Sequence, residues 1–449
     1  MTTAEGAPLI VGLKMTHDAS VAVLDGWRLA CCVELEKLPG GRRHAGLQDL
    51  ATMFDILRAQ GIGAGDIGVL SIDGWRKTLR KPLLFGQEIE FDIAPYVGHL
   101  RDDALLACRR GLIDDLPYES YPHLTGHVLS AYCASPAGRQ GRPASVLVWD
   151  GAMFPTMVAV DPSAQAMRVQ SRLLPLLGDA YHEFARRYWP FHSGYEWPKT
   201  LTLAGKLMAY VARGSVVPRL LQQWERCLDE IEDPPLWHEH YGRPILEAFL
   251  QRCHAVAEGE LEHDAMASWH EFLCRALLKR LVRFKEAQGS RAGDDLVLAG
   301  GCALNIKWNA AIRASGAFSE VFVPPFPNDS GSAIGAALAA RVARGGFRPL
   351  EWSVFSGPAI ERGRAHLVPG WTVRPASPAQ VAELIARGEI VCALHGRAEL
   401  GPRALGHRSL LASPRLPGIK RKLNLLKQRE DYRPVSPICL EERAAEFFS

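Results

Sequence analysis

An α/β fold of two related halves is what this sequence predicts, on three observations. Two strand-to-helix turns follow one another between Asp294 and Ala340, in DDLVLAGGCALNIKWNAAIRASGAFSEVFVPPFPNDSGSAIGAALAA. A three-strand meander lies near the start, Ile10 to Lys37, and a second one, VLVWDGAMFPTMVAV, recurs from Val146. A strand, acidic turn, strand unit opening each half signals an internal duplication. That is the plan of the actin-like, sugar-kinase-like α/β fold, in which two ribonuclease-H-like halves clamp a nucleotide. The halves are expected at 1–144 and 145–345.

The two turns between Asp294 and Ala340 carry the argument for a nucleotide. Leu296 to Ala299 form a short apolar run of the kind a buried parallel strand shows, and Gly300-Gly301 release the backbone into a helix near Ala303. Free N–H groups at a helix start, approached closely through glycine, suit a phosphate or a polar nucleotide edge. Val321 to Val323 make a second strand, and Asn328-Asp329 then cap a helix of small residues, Gly331, Gly335, Ala336 and Ala337. Asp329 is therefore expected at a strand's carboxyl end, where open α/β sheets bind ligands. Taken singly, each turn also reads as an ordinary glycine turn and an N-cap; two in succession favour the nucleotide.

Before Val146 the chain reads as strands at Ile10–Leu13, Ser20–Leu24 and Arg28–Val33, with Asp25-Gly26 as a hairpin turn and His17-Asp18 in the first connection. Mostly helix is expected between the two meanders: an amphipathic one at Gln48–Gln60, a strand at Asp66–Ile72, an unassigned loop at Arg80–Pro95, and then a helix behind Pro122. His123 and His127 leave one face of that last helix a turn apart, a spacing suited to one shared metal ion and equally to a packed pair. A third ligand is required, and Asp329 or Asp150 would supply hard oxygen. The stretch Asp179–Gln288 reads as long and helical. In it Lys206 either reaches a phosphate or is solvated, and the histidines of Trp237–His240 and His263–His270 read as a solvated surface or a substrate pocket.

From Arg341 to Pro369 glycine and proline replace periodicity, which reads as a linker at 346–370. A helix at Pro378–Arg387 and a strand at Ile390–Leu394 open a small last domain, 371–449. Arg397, Arg403, Arg408, Arg415, Lys427, Arg429 and Arg433 follow, set among Gly and Pro. Guanidinium forks bind phosphate bidentately, so the block reads as a site for small polyphosphate-like anions. An RNA strip is the other reading, but aromatics for base stacking are almost missing.

Composition limits the classes. With 449 residues the chain exceeds one ordinary core, 47% hydrophobic with 22% charged is globular, and a net charge of +3 argues for neither nucleic acid nor membrane. No apolar run reaches membrane-spanning length and the first residues are too polar for a signal peptide, so a cytoplasmic protein is expected. The 10 cysteines include no CxxC pair and read as reduced, mostly buried hydrophobes.

The succession HDAS, HxxxH, an apolar strand ending in Asp-Gly, GKLM, LAGGCALN, NDSGSAIGAA, GRAELGPRALGHRSLLASPR and REDYRPVSP resembles the O-carbamoyltransferases, whose members carbamoylate hydroxyls of antibiotics and nodulation factors. The resemblance runs in order over residues 9–440. It implies an actin-like large domain similar to the threonylcarbamoyl-transfer proteins, followed by a YrdC-like domain. The last domain is short beside the family's, lacking an LNTSFN-like run, so a partial YrdC-like domain is expected: either the chain is a fragment, or it is a short version that forms a reduced site or is completed by a homodimer mate or a partner chain. In the family mechanism, carbamoyl phosphate and ATP react in the second domain to give carbamoyl adenylate, which passes to a metal site in the large domain for attack by a small-molecule hydroxyl. The resemblance assigns His123, His127 and Asp329 to the metal with Asp150 in or beside its shell, and Fe or Zn suits that set, with Mg accompanying ATP. It assigns Lys206, Gly300, Gly301, Asn305 and Asn328 to the adenylate, and His17 with Asp18 behind it to the acceptor hydroxyl. Arg397, Arg403, Arg408, Ser409, Lys427, Arg429 and Arg433 would hold carbamoyl phosphate and ATP. Glu34, Arg43 and His44 correspond only loosely to the family's EER-KH-FP run. An actin-like ATPase or sugar kinase, and a non-catalytic nucleotide-binding subunit that needs a partner, are the competing readings.

The chemistry asks for these residue types. A carbamoyl carbonyl is a poor electrophile until a cation polarises its oxygen, and an alcohol is a poor nucleophile until a positioned imidazole takes its proton. Joining two anions requires several fixed cations.

Overall fold

The computed structural model describes residues 8–97, 105–192, 194–232, 239–289, 294–360, 370 and 372–448. They divide into one unit spanning 1–358 with 400–403 and a second spanning 359–399 with 404–449.

In the first unit β1 (Leu9–Lys14), β2 (Ser20–Asp25) and β3 (Arg28–Glu34) form an antiparallel meander, and β4 (Ile67–Asp73) joins β1 in parallel. Alternation along β1 serves both faces of the sheet: Val11 and Leu13 share a core with Met53 and Leu57 of α1 (Leu50–Ala59), while Ile10 faces the other core. Mostly helix was expected before Val146, yet strands follow instead. The unassigned loop resolves into β5 (Leu79–Arg80) paired with β8 (Phe91–Asp92), and β6 (Leu83–Leu84) paired with β7 (Gln87–Glu88). Phe85 and Gly86, at φ 49° and 86°, make the two-residue turn that such a hairpin demands. Asp114 at φ 49° does the same between β9 (Arg109–Ile113) and β10 (Leu116–Tyr121), and β10 runs parallel to β4.

The second sheet repeats the first. β11 (Ala144–Val148), β12 (Thr156–Asp161) and β13 (Ala166–Arg172) form a meander, and β14 (Asp295–Ala299) and β15 (Glu320–Phe322) add in parallel. The strand orders, β3-β2-β1-β4-β10 and β13-β12-β11-β14-β15, are one arrangement used twice. The unit is thus a duplicated ribonuclease-H-like, actin-like α/β fold.

Two helices bind the halves together. α2 (His123–Ala134) comes from the first half and packs on β11 and β14 of the second sheet. Short α3 (Pro136–Gln140) follows it. Between β13 and β14 a helical insertion contains α4 (Ala180–Ala185), α5 (Leu203–Tyr210), α6 (Pro218–Asp229), α7 (Glu239–Val256) and α8 (Glu262–Gln288), gathered on Phe184, Trp224, Trp269 and Phe272. Next come α9 (Ile306–Ala314) and α10 (Ser332–Gly345); α10 lies on β1, β2 and β4 of the first sheet and crosses α2. A Cβ at Gly335 would stand 1.8 Å from the carbonyl oxygen of Gly126, so the helices cross with their backbones touching.

Several expectations need correction. The first part of the expected linker packs as structure: Phe347 and Leu350 are buried, Leu29 N–H donates to Glu351 O, and Cys32 N–H donates to Ser356 O, both at 2.8 Å. The segment covers the edge of the first sheet, which would otherwise expose unpaired main chain. Gly363 and Pro369 of that expectation, and Trp237 of the histidine-rich stretch, lie outside the described residues. His270 is not a solvated surface residue, because its Nδ1 meets the Tyr181 hydroxyl at 2.9 Å and its ring packs on Trp308. The second unit contains α11 (Pro378–Ala386), with a Ser377/Gln380 capping box, the antiparallel pair β16 (Val391–Leu394) and β17 (Arg408–Leu411), α12 (Ile419–Leu426) and α13 (Ala444–Phe447).

Two outcomes follow from this packing. Gly335→Ala forces a methyl against main-chain oxygen and should cost about 1–3 kcal/mol, read as a lower urea midpoint. Burial, helped by Lys307, holds His270 down to about 4. The unfolded chain therefore takes up a proton that the native protein refuses, and stability drains away as pH falls from about 6.5 to about 4. A thermal melt series should show His270→Gln losing less than the parent over that window.

Candidate active site

The carboxyl ends of the central strands place the site. β1 ends at Lys14, and its connection to β2 carries His17 and Asp18; β4 ends at Asp73; Asp150 follows β11. Beyond β14 the Gly300-Gly301 turn leads into a 3-10 turn, Gly301–Leu304, and α9 begins only at Ile306, three residues later than expected. Gly300 sits at φ 84° with the Trp149 carbonyl oxygen 2.3 Å from where a Cβ would be, so glycine is required there. Asp329 opens the 3-10 turn that runs into α10. Asn328 does not cap it through its side chain; its Nδ2 donates toward Asp18 Oδ2 at 3.4 Å and its Oδ1 accepts from Ser330.

Four buried side chains converge: one ligand atom each from His123, His127, Asp150 and Asp329 lies within 4.8 Å of all the others. The two imidazole Nε2 atoms are 3.0 Å apart, and Asp329 Oδ1 stands 3.4 and 3.5 Å from them. His123 Nδ1 is 2.7 Å from Asp73 Oδ2. A hydrogen on Nδ1 donated to that carboxylate turns the Nε2 lone pair into the cluster, the arrangement that orients metal-bound histidines. Two ring nitrogens facing each other with carboxylate oxygens around them repel unless a cation or a proton lies between, so this donor set fits a metal ion. Two imidazoles with carboxylate oxygen are a set found around zinc and iron.

The surroundings are charged and dry. Lys14, 1% exposed, lies 3.0 Å from Asp73 and 2.8 Å from Asp329, with its ammonium over the Trp75 ring. Burial opposes the charge of Lys14, but the two carboxylates outweigh it and raise its pKa; Lys14 and His123 in turn hold Asp329 well below the usual carboxylate range against its own burial. Burial also disfavours a charged His123, yet Asp73 and Asp329 lift it to about 9. The cluster thus pulls positive charge inward. Asp150 is aimed by two donors, the Tyr96 hydroxyl and the Gly301 N–H, each at 2.6 Å. Burial keeps the Tyr96 phenol protonated, and its ring stacks on His123 at 4.5 Å.

His17 stands at the rim. Its Nδ1 is 3.4 Å from Asp329 Oδ2 and 3.8 Å from Asp18 Oδ2, and its ring lies edge-on between Trp75 and Trp197. Trp197 belongs to a segment whose Arg186, Phe191, His192, Gly194, Tyr195, Glu196 and Lys199 line a cavity of about 270 Å³.

The remaining candidates divide. Asn305 caps α9 by accepting from Trp308 N–H, and its Nδ2 is buried without a hydrogen-bond partner, so it retains a donor for a ligand. The Gly301 amide, expected to face a nucleotide, is taken by Asp150. Lys206, on α5, gives its ammonium to the Tyr195 hydroxyl at 3.0 Å. Arg403 belongs to the first unit, where it donates to the Leu304 carbonyl. In the second unit Arg408 and Ser409 lie on β17 and Arg397 follows β16; the Glu399 carboxylate gathers the N–H groups of Leu405, His407 and Arg408 beneath them. Lys427, Arg429 and Arg433 crowd together: burial first, then its two cationic neighbours, lowers the pKa of Lys427. Sequence reasoning missed Lys14, Asp73, Trp75 and Tyr96. An apolar strand ending in Asp marked Asp150, and the same signal at the end of β4 marks Asp73.

Among the described residues no helix is long and apolar enough to cross a membrane. Comparison with known proteins gives two family matches, carbamoyltransferase N-terminus over residues 100–338 and carbamoyltransferase C-terminus over 382–449. Nodulation protein U of Bradyrhizobium diazoefficiens is 40% identical over 98% of this chain and 80% of its own length. The 3'-hydroxymethylcephem-O-carbamoyltransferase of Streptomyces clavuligerus is 30% identical over 98% and 80%. Among solved structures, the activator of the 2-hydroxyisocaproyl-CoA dehydratase from Clostridium difficile aligns over 75% of this chain and 95% of its own at 13% identity, with a TM-score of 0.38. Matched in both family segments and aligned with such relatives over 98% of its own length, the chain belongs to the carbamoyltransferase family and is an enzyme of that class.

Proposed function

We propose that this enzyme moves a carbamoyl group from carbamoyl phosphate, by way of carbamoyl adenylate, to the hydroxyl of a small molecule. The observation that carries the reading is the convergence of His123, His127, Asp150 and Asp329 beside the Gly300-Gly301 turn. A bound iron or zinc cation supplies Lewis acidity for the carbamoyl carbonyl oxygen. His123, His127, Asp150 and Asp329 would hold it, and its charge is suited to the place: Asp73, Asp150 and Asp329 against the Lys14 ammonium leave two negative charges for a divalent ion to offset.

His17 is suited to take the acceptor's proton. With Nδ1 directed at the carboxylates of Asp329 and Asp18, its Nε2 is left for the hydroxyl. As the new O–C bond forms, the bond from carbamoyl carbon to the adenylate oxygen breaks and AMP leaves, and the proton held by His17 returns to solvent or product. Asn305 Nδ2 and the glycine turn would meet the nucleotide. Tyr96, Trp75 and Trp197 would keep water from an intermediate that hydrolyses readily. The cavity in the segment that carries Trp197 offers the acceptor a place, and the hydroxymethyl group in one relative's name supports a hydroxyl as the attacking group.

The donor would form in the second unit, with Arg397, Arg408, Ser409, Lys427, Arg429 and Arg433 facing carbamoyl phosphate and Mg-ATP. Crowded cations whose protons are already loosened by their neighbours gain most when an anion arrives.

Two experiments test this. His127→Ala should lose the metal that copurifies, measured by elemental analysis, and carbamoyl transfer should fall about 10²-fold or more; retained metal and rate would remove the cluster from the mechanism. Lys427→Ala should abolish AMP formation from ATP and carbamoyl phosphate, yet still transfer from chemically prepared carbamoyl adenylate. Equal loss of both activities would contradict the division of labour.

A further inference from the structure

Behind His17 lies a second imidazole that the reaction as described leaves unused. His44 Nδ1 is 2.7 Å from Asp18 Oδ1, and the other oxygen of that carboxylate is the one directed at His17 and Asn328. The side chains of His17, Asp18 and His44 are each about one-eighth exposed. Two backbone hydrogen bonds zip the loops together, Ala19 N–H to Ala45 O and Leu47 N–H to Met15 O, both at 2.9 Å. Asp18 and His44 both adopt left-handed backbone, φ 54° and 59°, which residues with a Cβ rarely take. Two strained residues that meet through their side chains indicate that the meeting itself is what the fold maintains.

We propose that His44 is a positioning residue for carbamoyl transfer: by donating from Nδ1 to Asp18 it fixes the carboxylate that orients His17 at the acceptor hydroxyl. The inference rests on the role given to His17 above. The direction of donation follows from charge. Burial opposes ionisation of Asp18, but the two imidazoles that face it, His17 at 3.8 Å and His44 in a 2.7 Å hydrogen bond, more than compensate and hold its carboxyl well below the usual range. An ionised carboxylate only accepts, so the hydrogen of the short contact belongs to His44. One oxygen is then tied at 2.7 Å, and the second keeps its place opposite His17 Nδ1. Without that tie the carboxylate is free to rotate toward Asn328, and His17 loses the partner that directs its other nitrogen outward.

The test separates the donor from the backbone. Glycine and asparagine both accept left-handed φ, but only asparagine puts an N–H at the position of imidazole Nδ1. Chemically prepared carbamoyl adenylate serves as donor and ethylene glycol as a minimal hydroxyl, with 2-hydroxyethyl carbamate counted by mass spectrometry. His44→Gly should lower kcat about 10²-fold at unchanged metal content and unchanged KM for the adenylate, whereas His44→Asn should stay within about tenfold of the parent. Equal rates for the glycine variant and the parent, or equal losses in the glycine and asparagine variants, would overturn the role. If the parent itself makes no carbamate, the transfer reading is what has failed. A measurement independent of turnover then decides on His44: in ¹⁵N-histidine spectra its Nδ1 should carry a proton whose signal moves on Asp18→Asn, and an unprotonated Nδ1 would refute the inference.

Discussion

Everything at this site depends on how closely two helices cross. α2 starts with His123 and carries His127 one turn on; α10 begins just after Asp329. Side chains of ordinary size at the crossing would hold helix axes 8–10 Å apart, whereas Gly335 rests directly on the main chain of Gly126. That missing layer of side chains lets ligand atoms from opposite halves of a duplicated fold come within 4.8 Å of one another. Small residues along α10, Ser332, Ala333, Ala336 and Ala337, extend the close fit onto the first sheet, and all are buried. Packing and chemistry are one constraint here.

Such an approach would be unfavourable if charge were not arranged with equal care. Three carboxylates in a dry pocket repel, and burying each without a partner costs several kcal/mol. Lys14 answers this from the end of β1, bridging Asp73 of the first half and Asp329 of the second. Tyr96 and the Gly301 amide hold Asp150, and Asp73 also orients His123. Three of the four ligands, His123, Asp150 and Asp329, are therefore held by groups that are not themselves ligands, which keeps them in place before any ion arrives.

Much of this was legible in the sequence, and the reasons are local. The acidic turn after an apolar strand, the i, i+4 histidines and the glycine pair each follow from short-range geometry, so β11, α2 and the Gly300 turn came out as expected. What escaped was set by tertiary contact. Lys14 looks like any lysine ending a strand, and only burial between two carboxylates gives it a role. Tyr96 lies in a stretch with no periodicity. The segment from Phe347 to Ser356 has a linker's composition, but its main chain follows the edge of β3. His270 looked solvated because polarity was all the sequence showed of it. Lys206 and the Gly301 amide were assigned to a nucleotide, and the fold gives both to partners within the protein.

The crossing also bears on how such a sequence can drift. At Gly126 an added methyl would meet the Asp73 carboxylate, which His123 and Lys14 hold in place, so what resists the change there is a side chain the site uses. At Gly335 the obstacle is a carbonyl oxygen, present whatever amino acid stands opposite. No partner substitution can remove it. The two glycines are fixed for different reasons in evolutionary terms: one by the chemistry of the side chain opposite, and the other by the polypeptide backbone itself.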